Sequence, residues 1–241
     1  MDTALVSSIR ERYQRILGKI AEAAFRSGSG ADAVRLITVT KSQPLEILQA
    51  ALEAGVTIFG ENYVEEAAQK ISALKNSGVE WHMIGHVQSR KAGLAAANFS
   101  MLHSLDSLKL AERLDRFCAE QGRTLPVLVE VNVSGEESKY GFPAWDELTW
   151  LDLKPALAAL AELPHLRVRG LMTMPPYFDD PERTRPYFQR MRRLQEYLAI
   201  HLPALDWIEL SMGTSVDFVA AVEEGATFVR VGQAILGPRP G

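Results

Sequence analysis

Two periods of hydrophobic and polar positions alternate along this chain. Short runs rich in β-branched and other apolar residues recur between longer stretches with helical spacing. The strand runs are "VRLITVT" from Val34, "VTIFG" from Val56, "WHMIG" from Trp81, "MLHSL" from Met101, "PVLVEVNV" from Pro126, "VRGLMT" from Val168, "DWIELS" from Asp206 and "TFVRVG" from Thr227. An opening helix is expected over roughly Thr3 to Arg26, ended by the loop-forming "SGSGAD". "PLEILQAALEAG" places Pro44 at a first helical position and Gly55 at the stop. "SVDFVAAVEEG" repeats that logic, with Ser215 as N-cap and Gly225 as terminator. "MPPYFDDPERTRP", Met174 to Pro186, fits a loop between the sixth strand and its helix. Eight alternating units predict an α/β fold, a (β/α)8 TIM barrel with an extra N-terminal helix and residues 1–241 in one domain. An open doubly wound sheet is the competing architecture.

Composition narrows the function classes. The chain has 241 residues, 47% hydrophobic and 23% charged, with a formal net charge of −4. That balance suits one large core and supplies no basic field for nucleic acid. Cys118, the only cysteine, reads as a small buried helix residue and leaves no intrachain disulfide. Asp2, Arg10, Glu11 and Arg12 interrupt the apolar core that a signal peptide needs, and no segment sustains the length of a membrane span. A soluble, cytoplasmic monomer is the expectation. No HExxH or paired-cysteine spacing occurs, so no metal site is expected.

In a parallel barrel, chemistry gathers at the C-terminal strand ends. Alternation puts Ile37, Val39 and Lys41 on one face of the first strand and Leu36, Thr38 and Thr40 on the other. An inward Lys41 would enter the mouth above an apolar floor, where desolvation favours the neutral, nucleophilic amine. The same parity aligns Phe228, Arg230 and Gly232 on the last strand and brings a cation beside that lysine. Gly232 permits close backbone approach, and the amides of Gly232 and Gln233 could cradle an anion. "LSMGTSVDF" offers a strand, a glycine turn and a helix start near Ser215, the usual ingredients of a phosphate site. Asn62, just past the second strand, is either a ligand contact or a helix N-cap. His82 shares parity with Ile84 and reads as a barrel-core histidine. "GENYVEEAAQK" reads as an acidic, solvated helix face.

A lysine aldehyde trap, an arginine and a phosphate cradle around one mouth describe a site for pyridoxal 5′-phosphate. The segments "TVTKSQP", "FGENYVEEAAQK", "WHMIGHVQSRK", "EVNVSGEESKYGF", "RGLMTMPP" and "LSMGTSVDFVAAVEEGATFVRVGQAILG" span nearly the whole chain. In them the sequence resembles the pyridoxal phosphate homeostasis protein family, which looks like the barrel domain of alanine racemase standing alone. The resemblance implies a Schiff base to the cofactor at Lys41. It further implies phosphate binding around Ser211, Gly213, Thr214, Gly232 and Gln233, Arg230 at the pyridine nitrogen, and pocket positions at Asn62, Ile84 and Met172. Lys139, in "GEESKYG", matches another lysine of the family and is a candidate second aldehyde site. Thr214, Gln233 and Leu236 depart from the family's usual methionine, threonine or serine, and phenylalanine.

That resemblance implies a cofactor binder without an established reaction, acting in intracellular vitamin B6 balance and serving pyridoxal-phosphate-dependent apoenzymes by sequestration or delivery. An arginine at the pyridine nitrogen cannot readily supply a proton, which weakens the ring as an electron sink. Racemases also draw on a second domain, for which this sequence leaves no residues after the last strand. A pyridoxal-phosphate-dependent amino-acid racemase is the alternative, and a barrel enzyme forming a lysine Schiff base with a sugar phosphate is a more distant one.

Overall fold

The computed structural model describes residues 2–239. Helix α1 (Thr3–Arg26) starts where the Asp2 carboxylate accepts hydrogen bonds from the Ala4 and Leu5 amides. Its buried residues Val6, Ile9, Tyr13, Ile16 and Ile20 recur at helical spacing along one stripe. The chain then alternates β1 (Arg35–Val39), α2 (Leu45–Glu53), β2 (Ile58–Glu61), α3 (Val64–Ala73), β3 (Glu80–Met83), α4 (Ala92–Asn98), β4 (Met101–Leu105) and α5 (Leu108–Glu120). There follow β5 (Leu125–Asn132), the two-residue β6 (Phe142–Pro143), α6 (Trp150–Ala158), β7 (Leu166–Met172), α7 (Arg185–His201), β8 (Glu209–Thr214), α8 (Phe218–Glu223), β9 (Phe228–Val231) and α9 (Gln233–Leu236).

All strand pairs are parallel, in the order β1-β2-β3-β4-β5-β7-β8-β9, and β9 pairs back onto β1 from Arg35 opposite Phe228 to Thr38 opposite Val231. This closure makes the sheet a (β/α)8 barrel and removes the open-sheet alternative. β6 only edges β5, at Val131 and Asn132. No helix among the described residues is long and apolar enough to cross a membrane.

Strand parity creates two cores. Leu36, Phe59, Met83, Leu102 and Val229 point outward into the layer shared with the helices, together with fully buried Cys118 on α5. Ile37, Ile58, Met101, Leu128, Met172 and Phe228 fill the axis, with Ile84 packed on them. Polar residues share that axis: His82, His103, Ser211 and Arg230 are all buried.

Several local expectations shift. Pro44 is the N-cap of α2 rather than its first residue. The strand anticipated from Asp206 starts at Glu209. Ser215 caps nothing: α8 begins at Phe218, and the Asp217 side chain instead accepts from the Thr214 amide (2.7 Å) and hydroxyl (3.0 Å). Pro186 already belongs to the first turn of α7.

Candidate functional site

At the C-terminal strand ends lies a cavity of about 430 Å³ that brings together Lys41, Asn62, Ile84, Thr214, Arg230, Gly232 and Gln233. Lys41 stands two residues beyond β1, in a turn whose next residue, Ser42, has φ of +57°. A non-glycine residue holds that conformation when its surroundings fix it. Here the Ser42 amide donates to Glu66 Oε1 at 2.7 Å. Behind the turn, Lys70 Nζ donates to Thr40 O (2.8 Å), Glu61 Oε1 (2.7 Å) and Glu66 Oε1 (2.6 Å), while Thr40 Oγ1 donates to Glu61 Oε1 (2.7 Å). Glu61 and Lys70 are buried, so the segment expected to be a solvated acidic face is on this side an internal ion-pair network.

In front of the turn, Lys41 faces the cavity. Burial, then the Arg239 charge, pushes its amine below the ordinary lysine range, against a weaker upward pull from Glu61. Arg230 forms part of the floor, donating from Nη1 to Ser211 Oγ (2.6 Å) and from Nη2 to Thr173 O (2.9 Å). Burial lowers its guanidinium to about 10, which leaves it charged at neutral pH. Beside it, Gly232 lies against Val39, where a Cβ would stand 3.3 Å from the Val39 carbonyl oxygen and Cβ. In the four-residue α9 the Ile235 and Leu236 amides donate back to Gly232 O, which leaves those of Gln233 and Ala234 without an intrahelical acceptor, and Gln233 lines this rim.

Asn62 lines the cavity and caps no helix; Tyr63 is the N-cap residue of α3. Its Oδ1 is buried and has no partner among the described residues. Gly85 explains how Asn62 fits there, because a Cβ at Gly85 would lie 2.5 Å from the Asn62 carbonyl oxygen.

Three anticipated positions lie elsewhere. Met172 belongs to the apolar layer along the axis below the cavity. Ser211 lies underneath Arg230 and bonds to it and to His103 Nδ1 (2.9 Å). Gly213, at φ of +90°, faces α8, where a Cβ would come within 2.5 Å of Ala221 Cβ. These three are not among the cavity-lining residues. Thr214 does line the cavity, but its amide and hydroxyl are taken by Asp217.

Other cavity residues carried no clear local signal. Glu130 lies in a strand that reads as continuously apolar; its parity with inward Leu128 was the available clue. Burial, and next the Asp106 charge, raise its carboxyl from 4.5 to about 7, although Arg230 and Lys139 pull the other way. Lys139, unlike these, is singled out by the family resemblance, and it lines this same cavity, its ammonium donating to Pro175 O at 3.3 Å. Next to it, Tyr140 stacks on His86 with centroids 3.9 Å apart, and His86 Nδ1 is 2.7 Å from Asp106 Oδ2.

Residues 23–240 match the family described as alanine racemase, N-terminal domain. The chain is 38% identical over 233 residues to the pyridoxal phosphate homeostasis protein of Aquifex aeolicus, covering 95% of this chain and 97% of that one. Among solved structures, PipY of Synechococcus elongatus with pyridoxal phosphate bound is 37% identical, with a TM-score of 0.79 over 90% of this chain and all of that one (100%). Alanine racemase of Clostridium difficile shares the fold at 15% identity, with a TM-score of 0.69 over 98% of this chain and 57% of that chain. With a closed barrel, a lysine and an arginine opening into one cavity, and these full-length likenesses, the chain belongs to the pyridoxal phosphate homeostasis protein family, built on the alanine racemase N-terminal domain.

Proposed function

We propose that this chain binds pyridoxal 5′-phosphate at Lys41 and acts in intracellular cofactor homeostasis, as one cofactor-binding barrel domain. Pyridoxal phosphate, when bound, supplies an electrophilic aldehyde, a pyridine nitrogen and a phosphate dianion. The residues present suit each part. Lys41 offers an amine shifted toward its neutral form, and only the neutral amine has a lone pair for a carbonyl carbon. Arg230 offers a fixed charge to the ring edge, and the Gly232–Gln233 backbone, uncrowded by a side chain at Gly232, suits an anion. Asn62 Oδ1, a buried acceptor without a partner among the described residues, suits a donor carried by the ligand.

The observation that carries this reading is the joint opening of Lys41 and Arg230 into one cavity whose rim is Gly232 and Gln233. Holding and handing on the cofactor, with dependent apoenzymes as recipients in the cytoplasm, is favoured over turnover. A guanidinium stays protonated and exchanges no proton with a ring nitrogen, so the arrangement suits retention better than carbanion chemistry.

The test is borohydride reduction of the cofactor-loaded protein, followed by peptide mass analysis. A pyridoxyl group on Lys41, lost in Lys41→Ala, is the expected result. A group found on Lys139 and never on Lys41 would overturn the assignment. Sustained Lys41-dependent exchange of amino-acid α-protons at roughly one per second or faster would select the racemase alternative.

A further inference from the structure

The barrel axis is crossed by an unbroken file of polar side chains. From the upper cavity, Arg230 Nη1 reaches Ser211 Oγ at 2.6 Å, and Ser211 Oγ reaches His103 Nδ1 at 2.9 Å. His103 Nε2 then lies 3.0 Å from His82 Nδ1, and His82 Nε2 lies 3.3 Å from Glu80 Oε2. Glu80 is the first residue of β3, at the opposite end of the barrel, where its side chain is 61% exposed beside a smaller pocket lined also by His82 and Arg35. The Phe228 ring packs edge-on against both imidazoles, at 5.7 Å from His82 and 4.9 Å from His103, and shields the file laterally.

The direction of these bonds follows from the two ends. A guanidinium only donates, so Ser211 Oγ accepts from Arg230 and its own proton is free for His103 Nδ1. A neutral His103 then carries its proton on Nε2 and donates to His82 Nδ1, which leaves His82 with an Nε2 proton for Glu80. The opposite polarity would aim the His82 Nε2 lone pair at a carboxylate. Burial pushes both imidazoles below the ordinary histidine range, His103 strongly, so both are neutral at neutral pH. Each nitrogen thus has a partner, and the tautomers are assigned from those partners.

We propose that Glu80 is a positioning residue for the upper cavity: as terminal acceptor it orients a one-way hydrogen-bond chain through His82, His103 and Ser211 that presents an oxygen lone pair to Arg230 and holds the guanidinium in place. Losing the terminal acceptor lets the two imidazoles reverse, and Ser211 no longer has an acceptor that keeps its proton turned from Arg230. The residue that governs the cofactor-facing cation therefore lies at the far mouth, outside the cavity.

Long-range ¹H–¹⁵N spectra of the unliganded protein at neutral pH read each imidazole directly. Nε2–H tautomers at both His82 and His103 are expected; an Nδ1–H tautomer or an imidazolium at either one would overturn the chain. Glu80→Leu should move His82 and His103 toward Nδ1–H, whereas Glu80→Gln, whose amide oxygen still accepts, should keep the native tautomers. Unchanged tautomers in Glu80→Leu would remove Glu80 from the role. The second arm rests on the proposed cofactor reading: pyridoxal phosphate should be held about five-fold more weakly by Glu80→Leu, the weight of one net hydrogen bond, with a shifted absorption band, and Glu80→Gln should restore both. Equal affinity and spectra in the three proteins would sever the chain from the cavity. Failure of the native protein to take up pyridoxal phosphate would refute the functional reading alone, since the spectra of the unliganded protein decide the chain independently.

Discussion

On either side of the turn that follows β1 stands one lysine with one buried carboxylate, and the two pairs live in opposite conditions. Behind the turn, Lys70 is bonded to Thr40 O, Glu61 and Glu66, and its side chain is only 9% exposed. In front, Lys41 and Glu130 face the cavity, and neither side chain forms a hydrogen bond to another described residue. Burial acts on both sides and raises the Glu61 carboxyl too, whose Oε2 has no partner among the described residues. There, however, bonds from Lys70 and Thr40 to Oε1 oppose it, whereas in front no side-chain bond does. The rear charges fix the backbone that carries Lys41; the front ones are left with shifted affinities for protons. A bonded buried ion stabilises one geometry, whereas an unbonded one remains available to a ligand.

The sharpest way to break this contrast is Lys70→Met, which strands Glu61 in the interior. Urea denaturation of the unliganded protein should show a loss of roughly 3–5 kcal/mol. Lys70→Met combined with Glu61→Gln should recover part of it, and Lys41→Met should change stability by less than about 1 kcal/mol. Equal losses from the two lysines would erase the distinction.

A smaller effect is expected at Glu130. Its folded-state carboxyl is raised from 4.5 to about 7, so the folded form holds the proton more tightly and stability falls as pH rises from 4.5 through 7. Glu130→Gln removes that fall. It should be neutral near pH 4.5 and stabilising above pH 7, by no more than about 3 kcal/mol. Denaturation of both proteins across pH 4.5 to about 8 checks the sign; a stabilisation largest in acid would contradict it.

The smallest effect belongs to the rim. Tyr140→Ala should leave folding within about 0.5 kcal/mol of the parent, because Tyr140 is exposed. Losing its stack on His86 should nonetheless speed exchange of bound pyridoxal phosphate about three- to ten-fold, the equivalent of a stack of ~1 kcal/mol. Stopped-flow displacement would measure it, and an unchanged rate would assign the stack no part in retention.

How much of this site was legible depended on the range of the signal. Lys41, Arg230 and Gly232 could be placed at one mouth because strand parity is local and each follows an apolar inward neighbour, Ile37 or Phe228. Glu130 obeys the same parity after Leu128 but was masked by apolar residues on both faces of β5. Parity also aligned His82 with the axis, yet gave no hint of His103 as its partner. Ser211 and Gly213 lie in the right segment but do not line the cavity, one bonded under Arg230 and one packed against α8.

The sequence by itself determined the eight alternating units, the inward and outward sets on β1 and β9, and the presence of an amine, a guanidinium and a small-residue rim at neighbouring strand ends. These follow from a two-residue repeat and from turn chemistry, which act over a few positions. Only the tertiary structure decided which charges are bonded and which are exposed to the cavity. The reason is that desolvation and hydrogen bonding depend on atoms far apart along the chain: His103 meets Ser211 across 108 residues, and Thr40 meets Lys70 across 30. A carboxylate next to an apolar residue reads the same in either setting until closure of the barrel supplies its neighbours.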